Sequence, residues 1–226
     1  MGEIVDSVYS GQGQFQYLSK ATYSGKYADS LRSGKGTYTW ANGDSYTGTW
    51  ENDDMKCGKY IFADGRYYEG SFAGNQYDDG DYYLDKACAT NGFSEFHATI
   101  EDGKITRLSF KTIAGLAYDG AISGNADIVY ISGNTYSGSV DNGIRSGEGT
   151  FAWVSNGTTT AYYQGEWMDD IMDGQGTYHY TDNEYPYIIG TFKQGKPDGN
   201  LTYYKEAGNT FDTVWSNGAV ISIVES

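Results

Sequence analysis

Residues 163–180 read YQGEWMDDIMDGQGTYHY, and this stretch decides the fold. Tyr163, Gly165 and Trp167 alternate, an acidic turn follows, and Gly174, Gly176, Tyr178 and Tyr180 alternate again. Successive residues of a strand point to opposite faces. The stretch is therefore one β-hairpin with rings and glycines on one side and Gln164, Glu166, Gln175, Thr177 and His179 on the other. A lone hairpin with a single apolar face does not hold itself together in water. Its partners have to come from the rest of the chain.

They become visible when the pattern is slid along the sequence. First arms begin at Tyr23, Tyr46, Tyr68, Tyr118, Tyr136, Tyr163, Ile188 and Phe211, spaced by 23, 22, 50, 18, 27, 25 and 23 residues. A glycine stands two residues on in all but the last, where Thr213 replaces it. Second arms recur as Gly34, Gly36, Tyr38, Trp40 and as Gly147, Gly149, Phe151, Trp153, and more loosely as Gly58, Tyr60, Phe62 and Gly199, Leu201, Tyr203. Gly11, Gly13, Phe15 and Tyr17 form a second arm without a proper first arm, so the array starts close to residue 1.

The pattern resembles the MORN (membrane occupation and recognition nexus) repeat, a Tyr-x-Gly-x-aromatic hairpin ending in Gly-x-Gly and a small turn. The resemblance covers residues 11–86 and 118–218. It implies an all-β protein: an elongated, single-layer antiparallel sheet of consecutive hairpins, curved into a groove and used mainly to bind proteins. It also carries an association with acidic lipids.

On this reading residues 1–226 are one continuous repeat domain. Residues 1–22 are an N-terminal cap and half-repeat, with Ile4, Val5 and Val8 available to cover the first hairpin. Residues 23–86 are regular repeats, 118–218 repeats again, and 219–226 a C-terminal cap strand. Residues 87–117 break the period. There Phe93–Glu101 and Lys104–Lys111 flank Asp102-Gly103, a hairpin without the Tyr-x-Gly signature, expected to be a decayed repeat or a specialised insert. Asn42-Gly43 and Asp64-Gly65 are expected to form two-residue hairpin turns between successive repeats.

Composition narrows the function. Only 38% of residues are apolar, while glycine numbers 32 and tyrosine 23, so a thick aliphatic core is not on offer. No apolar run approaches the roughly 18 residues needed to span a bilayer, and no signal sequence opens the chain. Met1-Gly2 resembles a myristoylation start, but Asp6 stands where Ser or Thr is expected. The net charge is -15, which repels nucleic acid and anionic bilayers alike, and the basic residues are scattered singly.

Catalytic and metal motifs are not found. Asp53-Asp54, Asp78-Asp79-Asp81 and Asp169-Asp170-Asp173 resemble calcium ligands in type but lack the calcium-loop spacing, and they fall where hairpin turns must be. They read as solvated turns. His97 and His179 are too few and too far apart for a metal site, and His179 reads as a surface residue. No Gly-x-Ser-x-Gly elbow is present. No enzyme activity, cofactor or metal is expected. Cys57 and Cys88 fall on opposite edges of a regular sheet, beyond the ~7 Å Cα limit for a disulfide. Two free thiols point weakly to a cytoplasmic setting, with a bacterial surface protein separated from its anchor as the alternative.

The function expected is a noncatalytic protein- or peptide-binding scaffold. Tyr46, Trp50, Tyr163 and Trp167 share one strand phase and are the groove candidates. The charge favours a basic, amphipathic peptide as partner, and open sheet edges allow a homo-oligomer. The alternatives are a membrane- or envelope-associated module and a small-molecule or glycan binder using exposed rings.

Overall fold

In the computed structural model, residues 3–5, 8–84 and 92–225 are described. Cys88 and the rest of 85–91 lie outside them. Contacts group the chain into two units, Met1–Ile113 and Ala114–Ser226, where the repeat count alone suggests one continuous domain.

The first unit contains β1 (Glu3–Val5), β2 (Val8–Gln16), β3 (Thr22–Ala28), β4 (Leu31–Thr39), β5 (Ser45–Glu51), β6 (Asp54–Ile61), β7 (Tyr67–Ala73), β8 (Gln76–Tyr83), β9 (Phe93–Glu101) and β10 (Lys104–Thr112). The second contains β11 (Ala117–Ala121), β12 (Gly124–Val129), β13 (Thr135–Asp141), β14 (Ile144–Ser155), β15 (Thr158–Met168), β16 (Ile171–His179), β17 (Tyr187–Lys193), β18 (Lys196–Glu206), β19 (Asn209–Ser216) and β20 (Ala219–Glu225). Within each unit every strand pairs antiparallel with the next, giving an open sheet of consecutive hairpins.

Register explains the composition. Glycine stands opposite glycine along one row, Gly25↔Gly36↔Gly48↔Gly58↔Gly70↔Gly80, and ring opposite ring along the next, Tyr23↔Tyr38↔Tyr46↔Tyr60↔Tyr68↔Tyr82. Each first-arm tyrosine lies flat along its own strand and donates its hydroxyl hydrogen to the carbonyl three residues on. The pairs are Tyr23 to Lys26 (3.0 Å), Tyr46 to Thr49 (2.9 Å), Tyr68 to Ser71 (2.8 Å), Tyr118 to Ala121 (2.5 Å), Tyr136 to Ser139 (2.7 Å) and Tyr163 to Glu166 (3.1 Å). The glycines are the floor under these rings. A Cβ on Gly25 would stand 2.5 Å from both Tyr23 Oη and Gly36 Cα, and one on Gly165 2.7 Å from Tyr163 Oη and 2.5 Å from Gly176 Cα, so the ring above and the backbone opposite leave no room for a side chain.

The turns divide into two kinds. Asp29-Ser30, Asn52-Asp53 and Asp169-Asp170 have positive φ at both residues, forming the two-residue turns inside hairpins; short polar side chains tolerate this region best. Asn42-Gly43 and Asp64-Gly65 do not form such turns, contrary to expectation. Only Gly43 and Gly65 have positive φ, and the loops are longer, closed by Gly43 N–H to the Trp40 carbonyl (3.1 Å) and Gly65 N–H to the Phe62 carbonyl (2.9 Å). Trp40 and Phe62 still pair across the hairpin, their N–H groups donating to the Asp44 and Arg66 carbonyls (2.9 and 2.8 Å), so that three residues rather than two close each loop.

The irregular hairpin continues the first sheet. β9 pairs with β8 so that Ala98 stands opposite Tyr82 and Ile100 opposite Gly80, aliphatic groups filling the ring and glycine rows. At the other extreme, β20 turns back on β19 but exposes every side chain, Ile221 at 67% and Ile223 at 60% among them.

Candidate functional site

Side chains on the ring-bearing face form two tiers. Tyr46, Trp50, Tyr163 and Trp167, the sequence candidates for groove anchors, belong to the packed tier, with exposures of 0, 4, 0 and 5%. Their surfaces are used by one another: Tyr46 meets Trp50 at 5.0 Å and Tyr163 meets Trp167 at 5.3 Å, both edge to face. Shared strand phase places these residues on the ring-bearing face, but in a first arm that phase means burial under the tyrosine-over-glycine arrangement. They support a surface and do not present it.

The second tier presents it. Second-arm rings stand beside the flat first-arm rings, most of them half-buried, with Phe151 buried and Tyr180 exposed, and touch in series across the strands. In the first unit Tyr38, Trp40, Tyr60, Phe62 and Tyr82 follow at centroid distances of 4.7, 5.0, 4.9 and 5.9 Å. In the second, Phe151, Trp153, Tyr178, Tyr180 and Tyr203 follow at 4.8, 5.3, 5.1 and 6.3 Å. An open, mostly apolar pocket of about 290 Å³ between Tyr180, Tyr203, Thr213, Trp215, Val220 and Ile223 ends the second row.

Two clamps, one in each unit, fix these tiers. Arg32 N–H and Nε both donate to Asp53 Oδ1 (2.8 Å each), and Nη2 donates to the Asp53 carbonyl (3.1 Å). The guanidinium lies 4.2 Å from the Trp50 ring centroid, and Trp50 Nε1 donates to the Gly36 carbonyl (3.2 Å). Arg145, Asp170, Trp167 and Gly149 repeat this arrangement, with Arg145 4.2 Å from the Trp167 ring. Burial works to raise the Asp53 pKa, but the hydrogen bonds and charge of Arg32 prevail and hold it below the usual carboxylate range.

Acidic residues near the start of second arms make further links of this kind. Asp79 Oδ1 accepts the Asp102 N–H (2.9 Å), Asp173 Oδ2 the Gln194 N–H (3.1 Å) and Asp198 Oδ1 the Asn217 N–H (3.2 Å). Each fastens one hairpin turn to the turn of the following hairpin. The signal was available: RSG-x-GT precedes an aromatic and then Trp at both Arg32 and Arg145, with a Trp and an acidic pair following in the next hairpin. Asp78, Asp79 and Asp102 gather three carboxylates within 4.8 Å, but Asp79 is engaged as described and Asp78 accepts from Ser71 Oγ (3.2 Å).

The opposite face carries face-to-face ring stacks. Tyr162, His179, Tyr187 and Tyr204 stack across β15–β18 at 4.1, 4.9 and 4.5 Å with interplanar angles of 12, 27 and 13°. In the first unit Tyr67, Tyr83 and His97 stack at 4.7 and 4.6 Å, His97 Nε2 lies 2.8 Å from Asp81 Oδ1, and Lys59 Nζ sits 3.7 Å from the Tyr67 centroid. His179 is therefore not an ordinary surface residue. Its Nδ1 is buried, and desolvation lowers its pKa, outweighing the opposite pull of the Asn183 and Glu184 backbone.

No curated protein matches the chain in sequence. Among solved structures it is similar to the TCP domain of SAS-4 (dCPAP) of Drosophila melanogaster, solved with a proline-rich motif of Ana2 (dSTIL). The identity is 9%, over 94% of this chain and 88% of that one, with a TM-score of 0.29. It is similar also to the TCP10 domain of Danio rerio CPAP, solved with a peptide of STIL, at 12% identity over 96% of this chain and 100% of that one, with a TM-score of 0.37. At such scores nothing functional is carried across. The repeat itself is another matter, because the tyrosine-over-glycine hairpin that builds both units is what the family pattern encodes: at residues 23–45, 136–158, 163–185 and 189–209 the chain carries MORN repeats.

Proposed function

We propose that the protein is a noncatalytic scaffold that binds a basic, amphipathic peptide segment on its second-arm ring rows. The observation that carries this reading is the series of half-buried rings in contact across each unit, Trp40 with Tyr60 in one and Trp153 with Tyr178 in the other. Large aromatics with one face packed and one edge open dominate interface energies, because they bury area at little conformational cost. The charge of -15 then favours Lys- and Arg-bearing partners and makes their association salt-sensitive.

The test is a titration of amphipathic peptides, Lys-rich against their Glu-rich counterparts, followed by tryptophan fluorescence at low and high salt. The Lys-rich series should bind more tightly and weaken with salt, and Trp153→Ala should lose that binding while staying folded. Equal binding of both series would overturn the reading. Sedimentation with anionic liposomes would favour the membrane alternative, and saturable quenching by sugars the glycan alternative.

A further inference from the structure

Comparison of the two ring stacks on the face opposite the rows shows one difference that bears on ligands. In the first unit, Tyr67 ends its stack, and the chain's own Lys59 covers the outer face of that ring at 3.7 Å, held from behind by Glu69 at 3.5 Å. Tyr67 stands opposite Ile61, and Glu69 opposite Lys59. In the second unit the same ladder positions are Tyr162 opposite Ala152 and Gln164 opposite Thr150. Lys59 and Ile61 are thus replaced by the smaller Thr150 and Ala152. One face of Tyr162 carries His179 at 4.1 Å, while on its other side the ladder places Ala152 and, one strand beyond, Thr135.

A second observation lies four ladder positions further along the same strands. Glu148 and Glu166 stand opposite each other in the ladder, both exposed, the Glu166 carboxylate lying over the bare backbone of Gly174 on β16, and no ion pair joins either to a cation among the described residues. Like charges facing across a ladder repel, and a cation placed between them relieves that repulsion. At ~3.4 Å per residue they lie about 14 Å from the Tyr162 and Ala152 pair, with Thr150 and Gln164 lining the way.

We propose that the β14–β15 outer face is a binding site for an elongated, flat aromatic cation. One ring stacks on Tyr162 above Ala152, in the place Lys59 takes on Tyr67, and the body runs along the strand pair toward Glu148 and Glu166. A ring face in a stack attracts a cation through its quadrupole, and Tyr162 offers that face beside a methyl small enough to admit a ring. This site is on the opposite face from the peptide rows and stands or falls separately from them.

Thioflavin T, a flat benzothiazolium cation about as long as the site, is a suitable probe. Titrated into isotopically labelled protein, it should shift the Ala152 methyl resonance through its ring current, saturably and with one equivalent. The double variant Thr150→Lys with Ala152→Ile transplants the first unit's own cover and should weaken that binding roughly tenfold or more, with circular dichroism unchanged. Glu148→Gln with Glu166→Gln should weaken it and flatten its salt dependence. In Lys59→Ala, a second, weaker event should develop at Tyr67. Shifts confined to Trp153 and Tyr178 with the Ala152 methyl unmoved, or equal affinity in the folded Thr150→Lys, Ala152→Ile protein, would overturn the proposal.

Discussion

Arg32 Nε lies 2.8 Å from Asp53 Oδ1 although the two residues belong to successive hairpins, and Arg145 meets Asp170 in the same way at 2.9 Å. In each case the acidic residue occupies a positive-φ position of a two-residue turn, so its side chain and carbonyl both face the preceding hairpin. The turn conformation, the charge and the tryptophan beneath the guanidinium form one device. A repeat array is held by interfaces between neighbours, and this is one interface resolved to atoms.

Arg32→Met should therefore cost about 1–2 kcal/mol, since the lost hydrogen bonds are charge-assisted but half-exposed. Arg32→Lys should recover little of it, because an ammonium cannot donate to Oδ1 and the carbonyl while lying flat on an indole. Urea unfolding measures both. Lysine restoring full stability would show that only the charge matters.

Gly25→Ala and Gly165→Ala should each destabilise by about 1–3 kcal/mol or more, the cost of forcing atoms into a filled space. If the ring is the obstacle, Tyr23→Ala should make Gly25→Ala much less harmful. A double-mutant cycle reads this as a coupling energy. Strict additivity would place the obstacle in the facing backbone of Gly36, whose Cα would lie 2.5 Å from the new Cβ.

Much of this was legible in the sequence, and the limit has a physical cause. Alternation of Tyr, Gly and Trp reports strand and face, because a strand's period is two. It located the arms, and Phe93–Glu101 and Lys104–Thr112 emerged as strands without the signature. Alternation does not report depth. Tyr46 and Tyr60 share a face and a ladder position, yet one lies flat over glycine and the other stands half-buried, a difference set by which arm leads into the bulged turn. Nor does it report what a turn carboxylate faces: Asp53 and Asp170 keep water on one side, and their bonds to Arg32 and Arg145 come from the neighbouring hairpin.

Acid should weaken the second unit through His179. Burial between Tyr162 and Tyr187 sets its folded pKa below the ordinary value of 6.5, so the native state binds fewer protons than the unfolded one. The stabilisation is complete above pH 6.5 and falls as pH drops from there through the folded pKa. Melting temperature should decline between pH 7.5 and 5.5, and His179→Gln should flatten that decline. Asp53 and Asp44, whose folded pKa values also lie below the usual carboxylate range, act in a separate window nearer pH 4 and lower.

If the second-arm rows are the contact surface proposed above, stability and binding fall to different tiers, and two tryptophans of the first unit test this. Trp50 is 4% exposed, stacked under Arg32 and hydrogen-bonded to Gly36, so Trp50→Ala should cost about 3–5 kcal/mol. Hydrogen exchange should show the loss in β3–β8, because neighbours in an array fail locally before the rest. Trp40 touches Tyr38 and Tyr60 but keeps an open edge, so Trp40→Ala should cost about 1 kcal/mol of stability. In the fluorescence titration with Lys-rich peptide the order should reverse for folded protein. Trp40→Ala should weaken binding about 30-fold, the size of a hot-spot truncation, whereas Trp50→Phe, which keeps the tier packed, should leave it within a few-fold. If Trp50→Phe abolished binding while Trp40→Ala did not, the second-arm row would not be the contact surface, and the buried tier would have to open for a partner to reach it.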